Sequence, residues 1–329
     1  MKTFIIIFLI LVAGITRATG QDFDVMFYNV ENLFDTADDT TRNDDEFLPE
    51  GSRRWTKNRY HKKINGISRV IAAAGQWELP MLAGLCEVEN DLVLKDLVYG
   101  TVLSAGNYGI VHRESPDPRG IDLALLYRRD HVRIHEVRSW IPDRSGEPAF
   151  ESRNLLYVKM TIYGDTLHLI LCHLPSRRGG VLAAGELRDE MALLVGEKSD
   201  SIRKTDINAS LIVMGDFNAG PGDETIRIIT EGDRLLNAAA SQASVGIGSY
   251  KYQGMWEMID QVFVSGSMTE ERRPFRADMQ SFRVVSEPFM LVVDASYPGK
   301  KPFSAYAGFK WAGGYSDHLP VMITISHLR

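Results

Sequence analysis

The sequence predicts an α/β (α+β) fold in which two mixed sheets pack face to face with helices outside. Short apolar runs rich in β-branched residues recur along the chain, while few segments carry a helical apolar period. Some runs alternate apolar with polar and others are continuously apolar, which suits two packed sheets better than one doubly wound parallel sheet. No Pro/Gly/Ser-rich tract divides the chain and no internal repeat is found, so residues 21–329 are expected to form a single domain.

The expected strands cover residues 24–30, 81–86, 121–127, 155–163, 167–173, 211–214, 259–265 and 321–326. The first expected helix is set by Tyr60, Ile64, Ile67, Ile71 and Ala74, whose 4-3-4-3 spacing makes one apolar face. The second runs from residue 183 to about 203, with Leu187, Met191 and Leu194 on its apolar face. Three stretches read as loops: the acid-rich 35–54, expected to be solvated surface, the Ala/Ser/Gly-rich 232–254, and 298–314.

The first 20 residues stand apart. Lys2 precedes an apolar run from Phe4 to Ala13, and Ala18-Thr19-Gly20 supplies small residues before Gln21. This pattern is that of an export signal, too short for a comfortable membrane span, so the mature protein is expected outside the cytoplasm. No later apolar run reaches the length of a span, and no membrane anchor is expected.

Hydrophobic residues make up 44 % and charged residues 24 %, which excludes collagen-like, low-complexity and fully disordered chains. A net charge of −6 argues against coating nucleic acid by bulk charge, but leaves room for phosphate chemistry through a metal ion and local Arg. The two Cys offer no disulfide framework and no zinc-knuckle spacing. Cys86 and Cys172 each precede a candidate site residue, Glu87 and His173, so strand alternation points both thiols into the core. Buried free thiols are the first reading and a bridge the second.

Polar residues gather where apolar runs stop or start. Tyr28-Asn29-Val30-Glu31-Asn32, Cys86-Glu87-Val88-Glu89-Asn90, Cys172-His173-Leu174-Pro175-Ser176-Arg177-Arg178, Gly215-Asp216-Phe217-Asn218, Ile259-Asp260 and Ser316-Asp317-His318-Leu319-Pro320 all sit at such ends. Each alone could be a turn, but together they describe a rigid scaffold presenting a site. Oxygen donors such as Glu31, Glu87 and Asp317 suit Mg²⁺, Mn²⁺ or Ca²⁺. A hard cation with His and Arg suits hydrolysis of a phosphate ester.

In content and order these motifs resemble the endonuclease/exonuclease/phosphatase superfamily, over about residues 24–326. The resemblance implies a four-layer αββα sandwich with the site at one edge of the paired sheets. It implies Glu87 as principal metal ligand, with Glu31 and Asp317 contributing. Asn29 and Asn218 would hold phosphate oxygens and the attacking water, and Asp216 would orient or deprotonate that water. Asp260 and His318 would form an Asp–His pair that favours imidazolium beside the phosphate. His173 would bind phosphate, with possible help as an acid.

Further candidates are less general. Arg119, Ser176, Arg177 and Arg178 suit recognition of substrate phosphate, since guanidinium forks match phosphate oxygens. Tyr250, Lys251, Tyr252 and Trp256 could line the groove or stack a base, or form a hairpin with core aromatics. The basic stretch Arg53, Arg54, Lys57, Arg59, Lys62 and Lys63 could track a duplex or be one face of an ordinary helix. The leading expectation is an exported Mg²⁺-dependent nuclease acting on DNA or RNA, as a monomer without protein partners. The alternatives are a phosphoesterase of lipid head groups, inositol phosphates or sugar phosphates, and a catalytically silent binding module.

Overall fold

The computed structural model describes residues 20–75, 78–143, 150–176, 181–233 and 235–328, so the expected leader (Gly20 apart) and Arg177 and Arg178 lie outside the described residues. One sheet contains β1 (Gln21–Leu33), β2 (Leu82–Val88), β3 (Tyr108–Arg113), β4 (Asp122–Arg128), β13 (Phe275–Val284) and β18 (Val321–His327). The other contains β5 (Val132–Trp140), β6 (Leu155–Ile162), β7 (Asp165–His173), β8 (Leu211–Asp216), β9 (Leu235–Asn237) and β12 (Asp260–Ser265). Their strand orders are β13–β18–β1–β2–β4–β3 and β5–β6–β7–β8–β12–β9. Both are mixed: β1 runs parallel to β2 and β7 parallel to β8, while the remaining pairs are antiparallel. Three hairpins add β10 (Tyr250–Tyr252) with β11 (Met255–Glu257), β14 (Leu291–Val293) with β15 (Lys300–Pro302), and β16 (Tyr306–Ala307) with β17 (Lys310–Trp311).

Alternation along β1 shows how the layers form. Val25 and Phe27 enter the core between the sheets, where they join Leu169, Leu171, Ile212 and Met214. Met26 and Tyr28 face the opposite way, under α1 (Lys57–Ala74) and α2 (Asp91–Tyr99). On the far side, α3 (Val181–Thr205) and α4 (Glu224–Thr230) cover the second sheet through Met191, Val195, Ile226 and Ile229. The result is the expected four-layer αββα sandwich.

Every expected strand is present. Strands β3, β5 and β13 and helices α2 and α4 were not anticipated, and the stretches 232–254 and 298–314, expected as loops, hold the short strands β9, β10, β15, β16 and β17. Strand β5 has only Val132 fully covered, so its sequence lacks an apolar run. Helix α2 starts at Asn90, whose side chain accepts from the Leu92 and Val93 amides, a capping role that the sequence reading took for part of a site motif. Cys86 and Cys172 are both free and buried. Cys86 faces the inter-sheet core and Cys172 the layer beneath α3, so the second sheet lies between them and a bridge is not formed.

Candidate active site

The site forms where strands stop, because the backbone there leaves the regular β conformation. Glu31, Asn32, Glu87 and Asn218 all have positive φ, between 48° and 63°. Non-glycine residues in this region carry strain and cluster at functional sites. The β1–β2 register shifts between Asn29 and Leu33, and the β2–β4 register shifts between Cys86 and Val88. Such irregularities re-aim a side chain at a strand end. Here Glu87 turns toward a cavity of about 450 Å³ that opens over the ends of both sheets.

The cavity is lined by Glu87, Asp216, Asp317, Asn218, His173 and His318, with Arg119, Arg153, Ser176, Asn32, Tyr250, Tyr252, Glu257 and Ile259. Asn29, itself buried, lies under two of the carboxylates. Its Nδ2 donates to Glu87 Oε1 at 3.2 Å and to Asp216 Oδ2 at 3.1 Å, and the Asn32 amide donates to Glu87 Oε2 at 2.9 Å. Asn29 therefore fixes the acids rather than facing the cavity. The Asn218 amide donates to Asp216 Oδ1 at 2.9 Å, while Asn218 Nδ2 donates to the Leu174 carbonyl at 3.0 Å.

Asp260 and His318 pair through Nδ1 at 2.7 Å, and Ser249 Oγ donates to the same Asp260 oxygen at 2.6 Å. The Tyr250 ring packs against the His318 ring at a tilt of 34°, 4.8 Å between centroids. His318 Nε2 lies 3.9 Å from Asp216 Oδ2. Although burial works against it, Asp260 holds the His318 pKa well above the usual value, with Asp216 and Asp317 adding to the shift. His173 is the opposite case: burial, then Arg153, Arg119 and His318, push its pKa well down. One histidine is thus favoured as a cation and the other as a neutral imidazole. Burial, followed by Asp260, raises the Asp216 carboxyl to about 7.

Asp216, Asp260 and His318 also lie close enough together to be considered as metal ligands. An ion placed among them would replace the short Asp260–His318 bond, so we read them as a hydrogen-bonded Asp260–His318 pair with the Asp216 carboxyl beside it. Glu87 and Asp317, on the cavity wall, are hard oxygen donors of the kind that suit a divalent cation.

Three expected residues sit elsewhere than anticipated. Glu31 does not line the cavity. Its carboxylate accepts from Ser304 Oγ and from the Ala305 amide, and lies 3.5 Å from Lys63 Nζ. It ties the 303–306 segment to β1. Trp256 packs against the core cluster under α1 and α2 instead of lining the cavity, because neighbours along β11 alternate and Glu257 takes the cavity side. Lys63, read as part of a basic surface, is fully buried and donates to the Tyr315 carbonyl.

Arg153 was missed by the sequence reading. This buried guanidinium donates to the carbonyls of His173 and Leu174 at 3.2 and 2.7 Å and to Asp117 at 3.1 Å. Asp117 also holds Arg119 at 3.2 Å. Arg153 lies two residues before β6, so the rule that polar residues at strand ends carry the chemistry would have found it.

Comparison with known proteins bears on this geometry. The model of the Endonuclease/Exonuclease/phosphatase family matches residues 24–327. Among solved structures, a mannosyl-6-phosphatase from Bacteroides thetaiotaomicron is 17 % identical with a TM-score of 0.58, covering 92 % of this chain and 99 % of its own. The human nocturnin catalytic domain with bound sulfate is 15 % identical with a TM-score of 0.58, covering 93 % and 94 %. TDP2 from D. rerio, complexed with single-strand DNA product, is 15 % identical with a TM-score of 0.57, covering 92 % and 98 %. At these identities the likeness is one of fold. Curated protein sequences gave no significant match.

Proposed function

The chain belongs to the endonuclease/exonuclease/phosphatase family, and from that premise we propose that it is an exported, Mg²⁺-dependent phosphodiesterase that hydrolyses DNA or RNA. The chain is a metal-dependent phosphoester hydrolase, as members of its family are. Glu87 and Asp317 would hold the ion, which when bound polarises the phosphoryl oxygens. Asp216, kept in place by Asn29 and the Asn218 amide, receives the proton of the attacking water. His318, paired with Asp260, offers a cationic N–H to the phosphate oxygens. His173, favoured as neutral imidazole, serves as a hydrogen-bond partner. Arg119 and Arg153 supply fixed positive charge on the same wall.

The observation that carries the nucleic-acid reading is the pair of tyrosines, Tyr250 and Tyr252, beside this phosphate-handling set. Every base presents a π-face, so aromatic side chains next to a phosphate site suit a polynucleotide. The TDP2 complex with single-strand DNA product is in keeping with it. A sugar phosphate is the second reading, favoured by Asn32 and Glu257 as hydroxyl partners in the cavity and by the likeness to a mannosyl-6-phosphatase.

The test is hydrolysis of supercoiled DNA, RNA, sphingomyelin, inositol polyphosphates and hexose phosphates with Mg²⁺, with Mn²⁺ and with EDTA. Nicking of DNA or cutting of RNA that EDTA abolishes is expected. Release of phosphate from a sugar with nucleic acid left intact would replace this reading by the second. Export rests on the N-terminal pattern alone, and a secreted protein whose first residue is Gln21 is the expected result of N-terminal sequencing.

A further inference from the structure

The acid-rich stretch between β1 and α1 is largely solvated, as its composition suggests, but one of its acids is not. Asp44 is only 2 % exposed. One of its carboxylate oxygens accepts from the Asp39 amide at 3.1 Å. The other, Oδ1, is shielded from solvent and has no hydrogen-bond partner. A buried carboxylate oxygen left unpaired is costly, and natural folds rarely tolerate one without a reason. Asp38 and Asp45 add to the difficulty, because Asp38, Asp44 and Asp45 each place an oxygen within 4.8 Å of the others. Two arginines of this stretch are engaged elsewhere: Arg42 is directed to Glu114 at 3.5 Å and to the Asp117 carbonyl at 3.0 Å, and Arg53 to Glu46 at 2.8 Å.

We propose that Asp38, Asp44 and Asp45 form a Ca²⁺ site, separate from the catalytic cavity, that holds the segment between β1 and α1 in shape. A cation would satisfy the orphaned Asp44 oxygen and offset the repulsion among the three acids. The donors are all oxygens, which excludes the softer transition metals. They come from one short irregular loop whose backbone carbonyls and waters can complete six to eight ligands, the flexible coordination Ca²⁺ accepts and Mg²⁺ does not. None of the three residues lines the catalytic cavity.

The site would nonetheless reach the chemistry through the backbone. Arg42 donates to the Asp117 carbonyl, and the Asn43 amide donates to the Pro118 carbonyl at 2.8 Å. These bonds strap the acidic loop to the turn that carries Arg119, whose guanidinium lines the cavity. Fixing the loop fixes the ground on which Arg119 stands. The proposal does not rest on the nuclease reading and holds for any substrate.

Titration calorimetry and thermal melts with Ca²⁺ test it, using wild type, Asp44→Asn and Glu87→Gln. The Glu87→Gln variant, altered in the catalytic cavity, is expected to keep a Ca²⁺ site that raises its Tm. Asp44→Asn is expected to bind at that site on the order of tenfold more weakly, or not at all. Where Asp44→Asn fails to fold by circular dichroism, Asp38→Asn, at an exposed position, gives the same readout. The proposal falls if Glu87→Gln shows no Ca²⁺ binding. It falls equally if the Asp variants bind as wild type does, or if equimolar Mg²⁺ displaces the Ca²⁺.

Discussion

Asp216 sits with 2 % of its surface exposed, accepting from Asn29 and from the Asn218 amide, and its carboxyl is raised to about 7 from 3.8 by burial and then by Asp260. An acid whose pKa is higher in the fold than in the unfolded chain favours the fold when protonated. That contribution is present at low pH and is lost as pH rises from about 3.8 through about 7. Asp216→Asn mimics the protonated form. It is expected to raise Tm in EDTA at pH 8, with little effect below pH 4, while turnover drops by several orders of magnitude. A calorimetric pH series that shows no pH-dependent gain would contradict the assigned environment. Lys63 presents the complementary case. It is fully buried against Glu31, so Lys63→Met leaves that carboxylate without its cation and is expected to cost about 3–5 kcal/mol. Adding Glu31→Gln should recover part of the loss in urea titrations, and a double variant no better than the single would refute the pairing. The signal for Lys63 was present in the sequence. It lies three residues after Tyr60 and next to Ile64, on the apolar stripe of α1. Its residue type alone made it look like surface.

At the scale of elements, the strand ends were legible because buried strands advertise themselves as apolar runs, and the polar residues that close them have no core reason to be there. Glu87, His173, Asp216, Asp317 and His318 were found in this way and converge on one cavity. What stayed illegible was orientation set by irregular backbone. Glu31 is two residues beyond Asn29, yet its positive φ turns it toward Ser304 and Ala305. Trp256 was placed by the pairing of a three-residue ribbon too short to show a period. That ribbon is tied on one side to the β14–β15 hairpin: Lys251 reaches across to Asp294 at 3.2 Å and to the Pro298 carbonyl at 2.8 Å, while Tyr250 bridges to His318 on the other. Asp294→Asn is therefore expected to loosen the mount of Tyr250 and Tyr252. KM for a polynucleotide should rise several-fold, on the order of threefold to tenfold, with kcat nearly unchanged. Equal KM for the variant and wild type would show that the hairpin is held by other means.

The whole molecule brings together residues from two sheets, so the distance between the sheets is a catalytic variable. Glu87 ends a strand of the first sheet, while His173 and Asp216 end strands of the second. Gly84 faces the second sheet at close quarters. A Cβ there would stand 2.7 Å from Leu171 Cδ2 and 2.8 Å from Met214 Cε, both on the second sheet. These are side-chain ends that can move, so Gly84→Ala should be absorbed by repacking, whereas Gly84→Leu must push the sheets apart. The expected cost of Gly84→Leu is about 1–3 kcal/mol or more. Its more telling effect is on turnover, because separating Glu87 from His173 and Asp216 spoils the geometry before the fold is lost. A matched control comes from the outer layer. Leu194, on α3, packs in the outer layer away from the inter-sheet core, and Leu194→Ala is expected to cost about 2–5 kcal/mol by leaving a cavity. Assayed well below the melting temperature of both variants, Leu194→Ala should keep wild-type kcat and Gly84→Leu should not. Equal turnover in the two would mean that the strand ends keep their spacing independently of the packing between the sheets.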